Sequence, residues 1–412
     1  MTSASSMTDL IRLIPIPAWM ASTAAALIQC LLCLVVALCA AVIFIWLERK
    51  VAARIQDRLG PTRVGGRFGW LQPPADGIKL LCKEDLIPAA ADGPLFRVAP
   101  YISFCATLCV FLAMPFSSVA AADGKVVSSW VALPLNIAAF FVLAVASMEV
   151  FGVILGGYAS GSKWSLYGAM RAAAQVISYE IPLALSVVVI VLITGTMDLA
   201  VIGNGQSGWF WNWNLFHDPF TFVTFFVFAT CALANTNRAP FDLPEAESEL
   251  VAGFLTEYSG FRWVYFFMGE YAAMFLICGL GCILFLGGWN GPVPVCQWLG
   301  LAPNATGVGG WINDVGNWVT SRVGITTRIE FATWLGNLLG ALNFITKAVL
   351  GATCMIWTRW TLPRLRIDQV MTTCLKYCVP IASAMMAGAM VYSYGFPEGL
   401  VRHVLKALGI LA

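Results

Sequence analysis

Eight long apolar runs restrict this 412-residue chain to a membrane setting. A helix that crosses a bilayer needs about 20 predominantly apolar residues, and runs of about that length recur along the whole sequence. They cover residues 20–47, 98–121, 130–156, 173–195, 219–235, 262–287, 335–358 and 376–396. Hydrophobic residues make up 59% of the chain and charged residues only 11%, which excludes an ordinary soluble domain. We therefore predict an all-α, polytopic membrane protein with about eight transmembrane helices, in which residues 1–412 form one integral membrane domain.

Basic residues are concentrated on one side of these predicted spans. The loops after the first, third, fifth and seventh spans hold 17 of the 24 Lys and Arg residues, and Lys347 lies inside the seventh span. Cytoplasmic loops keep most basic residues, so these loops are assigned to the cytoplasm and both termini to the other side. The segment 289–334 then lies outside, and its Trp298, Trp311 and Trp318 predict a position at the membrane–water interface. The net charge of +2 indicates no nucleic-acid partner.

The cysteines and histidines do not form the pattern of a metal or haem site. Nearly all of the 13 cysteines lie in predicted spans, where they pack as small apolar side chains. Cys30 and Cys33 form a CxxC pair, but no second pair lies nearby to complete a zinc or iron–sulfur site. His217 and His403 fall outside the spans, whereas a membrane cytochrome needs paired histidines within its helices. We therefore expect no metal site and no cofactor bound by this chain.

Three carboxylates, Glu149, Glu180 and Glu270, interrupt the predicted spans. An ionisable residue at membrane depth costs about 2.5–3.5 kcal/mol on insertion scales, so three in one bundle indicate a polar interior. Burial and mutual repulsion favour the protonated form of such groups, as a proton relay requires. In the alternative interpretation, each carboxylate lies near a helix end, where it reaches the membrane surface or pairs with Arg171 or Arg262.

The loop 236–261 concentrates acidic side chains on the predicted cytoplasmic side. Pro240 and Pro244 bracket a turn, and the acidic residues of the loop are Asp242, Glu245, Glu247, Glu249 and Glu257. A helix starting near Pro244 would place Glu245 and Glu249 on one face, where like charges repel unless they share protons or pair with basic residues. A solvated run of charges is the ordinary alternative. Burial of much of the loop is instead predicted by its apolar side chains, which are Phe241, Leu243, Leu250, Val251, Phe254 and Leu255.

The first cytoplasmic loop, residues 48–98, combines nine basic residues with short amphipathic patterns. Two short interfacial helices are predicted from apolar stripes, one carrying Val51, Ile55 and Leu59 and the other carrying Ala75, Ile78 and either Leu81 or Leu80. Asp76 and Lys79 fall on the polar side of the second helix. Such a loop is suited to closing a cavity or to docking a soluble partner.

Several motifs in these segments resemble those of the membrane H-subunit of bacterial NADH:quinone oxidoreductase, respiratory complex I, whose mitochondrial counterpart is NADH dehydrogenase subunit 1. The resemblance covers roughly residues 20–396. Its motifs are ERKVAARIQDRLGPTRVG, QPPADGIKLLCKED, GYASGSKWSLYGAMRAAAQVISYEIPL, NTNRAPFDLPEAESELVAGF and FFMGEYAAM. What the resemblance implies is a multi-pass subunit of a bacterial inner membrane, with both termini in the periplasm and segment 289–334 on the periplasmic surface. This subunit would form most of the quinone tunnel and couple quinone reduction to proton translocation.

The resemblance also implies roles for individual residues and partners. The quinone cavity is expected to involve Arg49, Asp76, Lys79 and Phe241. Proton coupling is expected to involve Glu149, Glu180, Asp242, Glu245, Glu247, Glu249 and Glu270, with Arg171, Arg238 and Arg262 as counter-charges. The substrate would be a quinone, with ubiquinone expected, and flavin and iron–sulfur clusters would belong to partner subunits. The other membrane and hydrophilic subunits of the complex would be its protein partners. The chain would then catalyse nothing alone and would contain no catalytic residue of its own.

Two alternative functions remain open on the sequence. The membrane subunit of an energy-converting hydrogenase shares this ancestry without reducing quinone, and quinone-dependent activity of the assembly separates the two. A stand-alone ion transporter is the other alternative. Transporters commonly contain internal repeats with paired broken helices, and we identify no such repeat.

Overall fold

The apolar runs form a bundle of long helices in the computed structural model of the chain, which describes residues 18–120, 126–243, 251–299, 301, 310–315 and 331–395. Seven of its helical stretches are long and apolar enough to cross a membrane. They are α1 (Ala18–Ile55), α3 (Gly93–Ala113), the pair α4 (Ala138–Ala146) and α5 (Met148–Ala159), α6 (Lys163–Thr194), α9 (Gly260–Phe285), α11 (Phe331–Thr361), and the stretch from α12 (Ile367–Thr372) through a π-helical turn (Thr373–Cys378) to α13 (Val379–Gly395). The prediction of an all-α membrane protein is confirmed.

The remaining predicted span, the fifth along the chain, is the shorter helix α8 (Pro219–Asn235), which has 17 residues. At 1.5 Å per residue it is about 26 Å long, somewhat less than the roughly 30 Å hydrocarbon core of a bilayer. Asp218 sets its start, because the carboxylate accepts a hydrogen bond of 2.6 Å from the Thr221 backbone N–H while the Thr221 hydroxyl accepts one from the Asp218 N–H. This reciprocal cap satisfies two backbone donors that a helix start otherwise leaves unpaired.

Of the two short helices predicted in the first loop, one is present. Helix α1 continues to Ile55, so Val51 and Ile55 belong to its last turns and a separate first helix is wrong. No glycine or proline interrupts the chain until Gly60 and Pro61, which explains why the long helix does not stop at the membrane surface. The second helix is confirmed as α2 (Gln72–Leu81), which begins at two prolines. We call this end of the bundle, where the arginine-rich loops lie, the inner end.

The opposite end, the outer end, carries small elements that the apolar runs do not reveal. Strands β1 (Ser118–Ala120) and β2 (Val126–Ser129) pair as an antiparallel hairpin, and the short helices α7 (Leu199–Gly205) and α10 (Val295–Trp298) lie in the other connections. Amide side chains join them. Asn337 of α11 bonds to hydroxyls of Ser117 and Ser128, and Asn204 of α7 bonds to Ser118.

The core of the bundle is centred on α9, whose side chains are buried along most of its length. Its Phe275 contacts Phe44 of α1, Phe111 of α3 and Phe344 of α11, with ring centroids 5.9, 6.0 and 6.2 Å apart. These rings contribute packing beyond their simple burial. Helix α9 is therefore the element against which the inner cavities are formed.

The π-helical turn in the last span has a local cause. Pro380 has no backbone N–H, so the carbonyl of Lys376 lacks its usual α-helical donor. In the turn before it, the Val379 N–H bonds to the carbonyl of Cys374, five residues earlier. The turn packs on α6, where the Cys374 thiol donates to the Ser178 carbonyl at 3.1 Å. Just before the turn, the carbonyl of Val370 in α12 accepts a hydrogen bond of 2.8 Å from the Tyr179 hydroxyl of α6.

Lys347, the basic residue inside a predicted span, caps the C-terminal end of α9 at the outer end of the bundle. Its ammonium group donates to the backbone carbonyls of Leu286, Gly288 and Asn290 at 2.5, 3.1 and 2.5 Å. It also lies 4.4 Å from the centre of the Trp213 ring. All three ammonium protons thus have acceptors at a helix C-terminus, where positive charge is favourable.

Replacing Lys347 with Met is expected to lower stability. Hydrogen bonds to charged groups contribute about 1.5–3 kcal/mol each, and losing the buried charge offsets part of that, so we expect a net loss of about 2 kcal/mol. Thermal unfolding of the purified assembly measures it. Lys376→Met, the same change at an exposed position, is the control. Equal unfolding temperatures for the two variants would contradict the role of Lys347.

Candidate functional site

A cavity of about 530 Å³ lies at the inner end, between α1, α2, the start of α9 and residues 251–259. Its volume lies within the range of about 300–1,000 Å³ that is typical of small-molecule sites. Most of its wall is apolar and includes Val42, Ile45, Leu255, Val264, Phe267 and Met268. Arg49, Asp76 and Lys79 line it too. Three of the four residues predicted at the quinone cavity therefore border one space.

These three charged residues form one set. Arg49 Nη1 lies 2.6 Å from Asp76 Oδ2, and Lys79 Nζ lies 3.5 Å from Asp76 Oδ1. Gln72, one turn before Asp76 on α2, donates to the same carboxylate at 3.5 Å. Exposed pairs of this kind contribute only about 0–1 kcal/mol to stability. Their importance is positional, because they fix polar groups at an otherwise apolar cavity.

The beginning of α9 forms one wall of the cavity, through Ser259, Gly260 and Trp263. Gly260 has a φ of +61° and starts the helix, and the preceding Ser259 hydroxyl accepts a hydrogen bond of 3.2 Å from the Leu86 N–H. Arg262 Nη2 lies 2.8 Å from Asp85 Oδ2. Arg262, which we expected to balance the buried acids, thus joins the first loop to α9. Burial raises the pKa of the nearby Tyr258 above its usual range, with Arg262 opposing the shift, so Tyr258 stays a neutral phenol.

A second cavity, of about 240 Å³, adjoins the first and shares Ile45, Arg49 and Phe267 with it. Its remaining wall is strongly charged. The charged residues around it, besides Arg49, are Glu48, Arg58, Arg238, Glu270 and Arg359. Four arginines and two glutamates give this space an excess of positive charge, which favours negative charge inside it. Glu270 and Arg238, both predicted from the sequence, therefore lie around the same space.

Glu48 is the centre of this charged cavity, and our sequence interpretation missed it. Its carboxylate lies 3.4 Å from Arg238 Nη1, contacts Arg359 Nη1 and accepts a hydrogen bond from the Tyr271 hydroxyl. The Arg238 guanidinium also lies 4.3 Å from the centre of the Tyr271 ring. The available signal was the acid of the ERK triplet, which lies just after an apolar run. Its position at the predicted end of a span does not reveal that it is buried.

Glu149 and Glu180 border a third, small cavity of about 60 Å³ farther into the bundle. The Thr107 hydroxyl donates to Glu149 Oε2 at 3.5 Å. Asn235, at the inner end of α8, borders this space and also a cavity of about 30 Å³ that contains Glu149 and Asn237. The two carboxylates therefore lie together, and the segment that leads into the acidic loop reaches them.

The described part of the acidic loop is largely buried. Phe241, Leu243, Phe254 and Leu255 are buried as predicted, whereas Val251 is exposed. Leu250, Glu245, Glu247 and Glu249 lie outside the described residues, as does the helix predicted near Pro244. The ring centroids of Phe241 and Tyr179 are 5.4 Å apart. Phe241 was predicted at the quinone cavity, but it is not among the residues that line the first cavity.

Asp242 is also buried and pairs with a residue that the sequence did not single out. Its Oδ2 lies 3.0 Å from Arg364 Nη2, in the connection between α11 and α12. The backbone joins the same two segments, because the Leu365 N–H donates to the Pro240 carbonyl at 3.0 Å. Arg171, the third expected counter-charge, lies half-buried on α6. The acidic loop is thus tied to the last spans as well as to α8.

Comparison with known proteins identifies the family. The model of the NADH dehydrogenase family matches residues 28–390. The NADH-quinone oxidoreductase H-subunit of Anaeromyxobacter dehalogenans is 41% identical over 350 residues, which are 84% of this chain and 77% of that protein. The H-subunit 2 of the same enzyme from Koribacter versatilis is 40% identical over 374 residues, 87% of this chain and 94% of that protein. The chain therefore belongs to the NADH dehydrogenase family, in the group of the NADH-quinone oxidoreductase H-subunits.

Proposed function

We propose that this chain forms the quinone-binding chamber of a proton-translocating NADH-quinone oxidoreductase and passes the charge of quinone reduction to its buried carboxylates. The observation that carries the proposal is the pair of adjoining cavities. The first is mostly apolar and suits the isoprenoid tail and ring of a quinone such as ubiquinone. The second is rich in arginine and suits the negative charge that appears as the ring is reduced.

Arg49 belongs to both cavities and is the residue that links them. In this proposal, it directs the polar end of the quinone toward the charged cavity, while Ile45 and Phe267 keep the passage apolar. Electrons come from flavin and iron–sulfur clusters of partner subunits. The residues of this chain bind the quinone, exclude water from its tail and hold compensating charge.

The carboxylates provide the coupling in this proposal. Reduction of a quinone to a quinol takes up two electrons and two protons, so negative charge or proton demand arises at the charged cavity. Glu270 lies on the wall of that cavity, and Glu149 and Glu180 lie together in the next one. A change in protonation at Glu270 would alter the electrostatic potential at the other two, because charges interact strongly where water is scarce. Asp242 and the acidic loop would connect these groups to the inner surface.

The proposed orientation places the arginine-rich inner end in the bacterial cytoplasm. An even number of spans returns the chain to the side on which it started, so both termini would be periplasmic. The partners of the chain would be the lipid bilayer and the membrane and hydrophilic subunits of complex I.

Filling the first cavity tests the proposal. Gly77 lines it, and a Cβ added there meets no atom within 4 Å, so Gly77→Leu is expected to leave the fold intact while narrowing the space. Overpacking a filled site costs about 1–3 kcal/mol, and each 1.4 kcal/mol corresponds to a tenfold change in affinity. We therefore expect kcat/KM for a ubiquinone analogue to fall about tenfold in the intact complex.

The matched control is Gly93→Leu. Gly93 has equally open surroundings but does not line the cavity. Its quinone reductase activity should equal that of the wild type, and electron transfer from NADH to a soluble acceptor should be unchanged in both variants. Normal quinone kinetics in Gly77→Leu would argue against this cavity as the quinone chamber.

A further inference from the structure

An uncharged cluster of aromatic side chains is exposed at the outer end of the bundle. We call it the aromatic patch and define it as Trp209, Phe210, Trp211, Val295, Trp298 and Leu299. Trp209 stacks on Trp211 with ring centroids 5.0 Å apart and meets Trp298 edge-on at 5.9 Å. The Phe210 N–H donates to the Pro292 carbonyl at 3.1 Å, which joins the two segments of the patch. Trp298 is 65% exposed and Phe210 is 43% exposed.

The two chain segments that carry the aromatic patch are uncharged as well. Residues 199–216 and 287–299 contain no Asp, Glu, Lys or Arg. A typical protein–protein interface has a polar rim around its apolar centre. Indole rings with one polar N–H are instead enriched at the boundary between lipid headgroups and acyl chains. The composition therefore favours a lipid surface over a soluble partner.

The length of α8 supplies an independent argument. The helix is about 26 Å long, so it falls about 4 Å short of the roughly 30 Å hydrocarbon core. Its N-terminal half is exposed and apolar at Phe222, Val223 and Phe226. Just before the helix, Phe216 contacts Phe210 of the aromatic patch, with ring centroids 6.0 Å apart. The exposed apolar surface of α8 thus continues along the chain into the patch.

We propose that the aromatic patch inserts at the headgroup–acyl boundary of the outer leaflet, where it completes the membrane thickness that α8 does not span. The partner is the phospholipid bilayer. Trp298 and Phe210, the more exposed rings, contact lipid, while the Trp209–Trp211 stack supports them from behind. This role is separate from quinone binding, which takes place at the inner end.

A photoreactive side chain tests the contact directly. A benzophenone amino acid is placed singly at position 298 or 210 of the full chain, in the complete complex, in native membranes. After irradiation, peptides carrying the label are analysed by mass spectrometry. The expected result is a phospholipid adduct at both positions, as abundant as at position 226, which lies on the exposed face of α8 and is the positive control. Position 213, whose ring lies under Lys347, is the control for adducts within the chain.

Each outcome decides the proposal. Phospholipid adducts at positions 298 and 210 support it. Adducts with another subunit, or with other residues of this chain, overturn it. So does full photolysis without any adduct, which indicates a position facing water. Two positions are used because a label at one could disturb its own ring contact, and only complexes with wild-type NADH oxidation are scored.

Discussion

Glu180→Gln is expected to lower quinone reduction and proton translocation together, by tenfold or more, in the intact complex. Gln has nearly the shape of Glu, so the 60 Å³ cavity that Glu180 shares with Glu149 should be preserved. An amide, however, neither carries the proton nor acquires the charge that the proposed coupling needs. Positioned groups that transfer protons typically contribute on the order of 10²- to 10⁴-fold, so tenfold is a conservative expectation. A quinone reductase assay measures the first effect, and acidification of the vesicle interior after reconstitution of the complex measures the second.

Glu84→Gln is the matched control for this change. Glu84 is exposed in the first loop and lines none of the four cavities described above. It should therefore retain both activities. Glu180→Asp keeps a titratable group and should recover part of the loss. If Glu180→Gln reduces quinone and translocates protons at normal rates, Glu180 has no part in coupling.

Glu48→Gln is expected to have the largest effect on stability. The substitution removes the negative charge that Arg238, which is only 6% exposed, shares with Arg359. Breaking a buried ion pair by removing one side typically costs about 3–5 kcal/mol, because an uncompensated charge remains buried. We expect a large loss of assembled complex and a clearly lower temperature of unfolding, measured beside the Glu84→Gln control.

A double substitution tests whether Glu48 stabilises the protein through its ion pair with Arg359 or through its other contacts. In Glu48→Gln with Arg359→Gln, one of the two arginines that pair with Glu48 is also removed. The double variant should then be more stable than the sum of the two single effects predicts, by about 1 kcal/mol or more, as is usual for residues in one network. Strictly additive effects would show that the two side chains do not stabilise each other.

Much of the fold followed from hydrophobic pattern alone. All eight apolar runs contain helices, because a chain in a bilayer must satisfy its backbone hydrogen bonds within each span. The breaks inside runs were not predicted. Residues 130–156 contain two helices separated at Ser147, and the last span contains a π-helical turn before Pro380. Such breaks depend on one or two residues and leave the average hydropathy unchanged.

The partners of charged residues were harder to predict than the residues themselves. Asp76 was expected to lie with Arg49 and Lys79, and the three residues line one cavity. Arg262 was expected near the buried acids but pairs with Asp85, and Asp242 pairs with Arg364. Sequence spacing predicts neighbours along one helix, whereas these pairs join segments that are distant in the chain.

The sequence by itself determined the membrane setting, the helical class, the inner concentration of arginines and the acids within the spans, because each depends on local composition and period. Only the tertiary structure decided which charges meet. Helix α9 brings Tyr271 beside Glu48 of α1, the acidic loop adds Arg238 and the end of α11 adds Arg359. Four segments spread over more than 300 residues build that cluster, and no local pattern records it. The energy of a buried charge depends on its distance to the opposite charge, and packing of the whole bundle sets that distance.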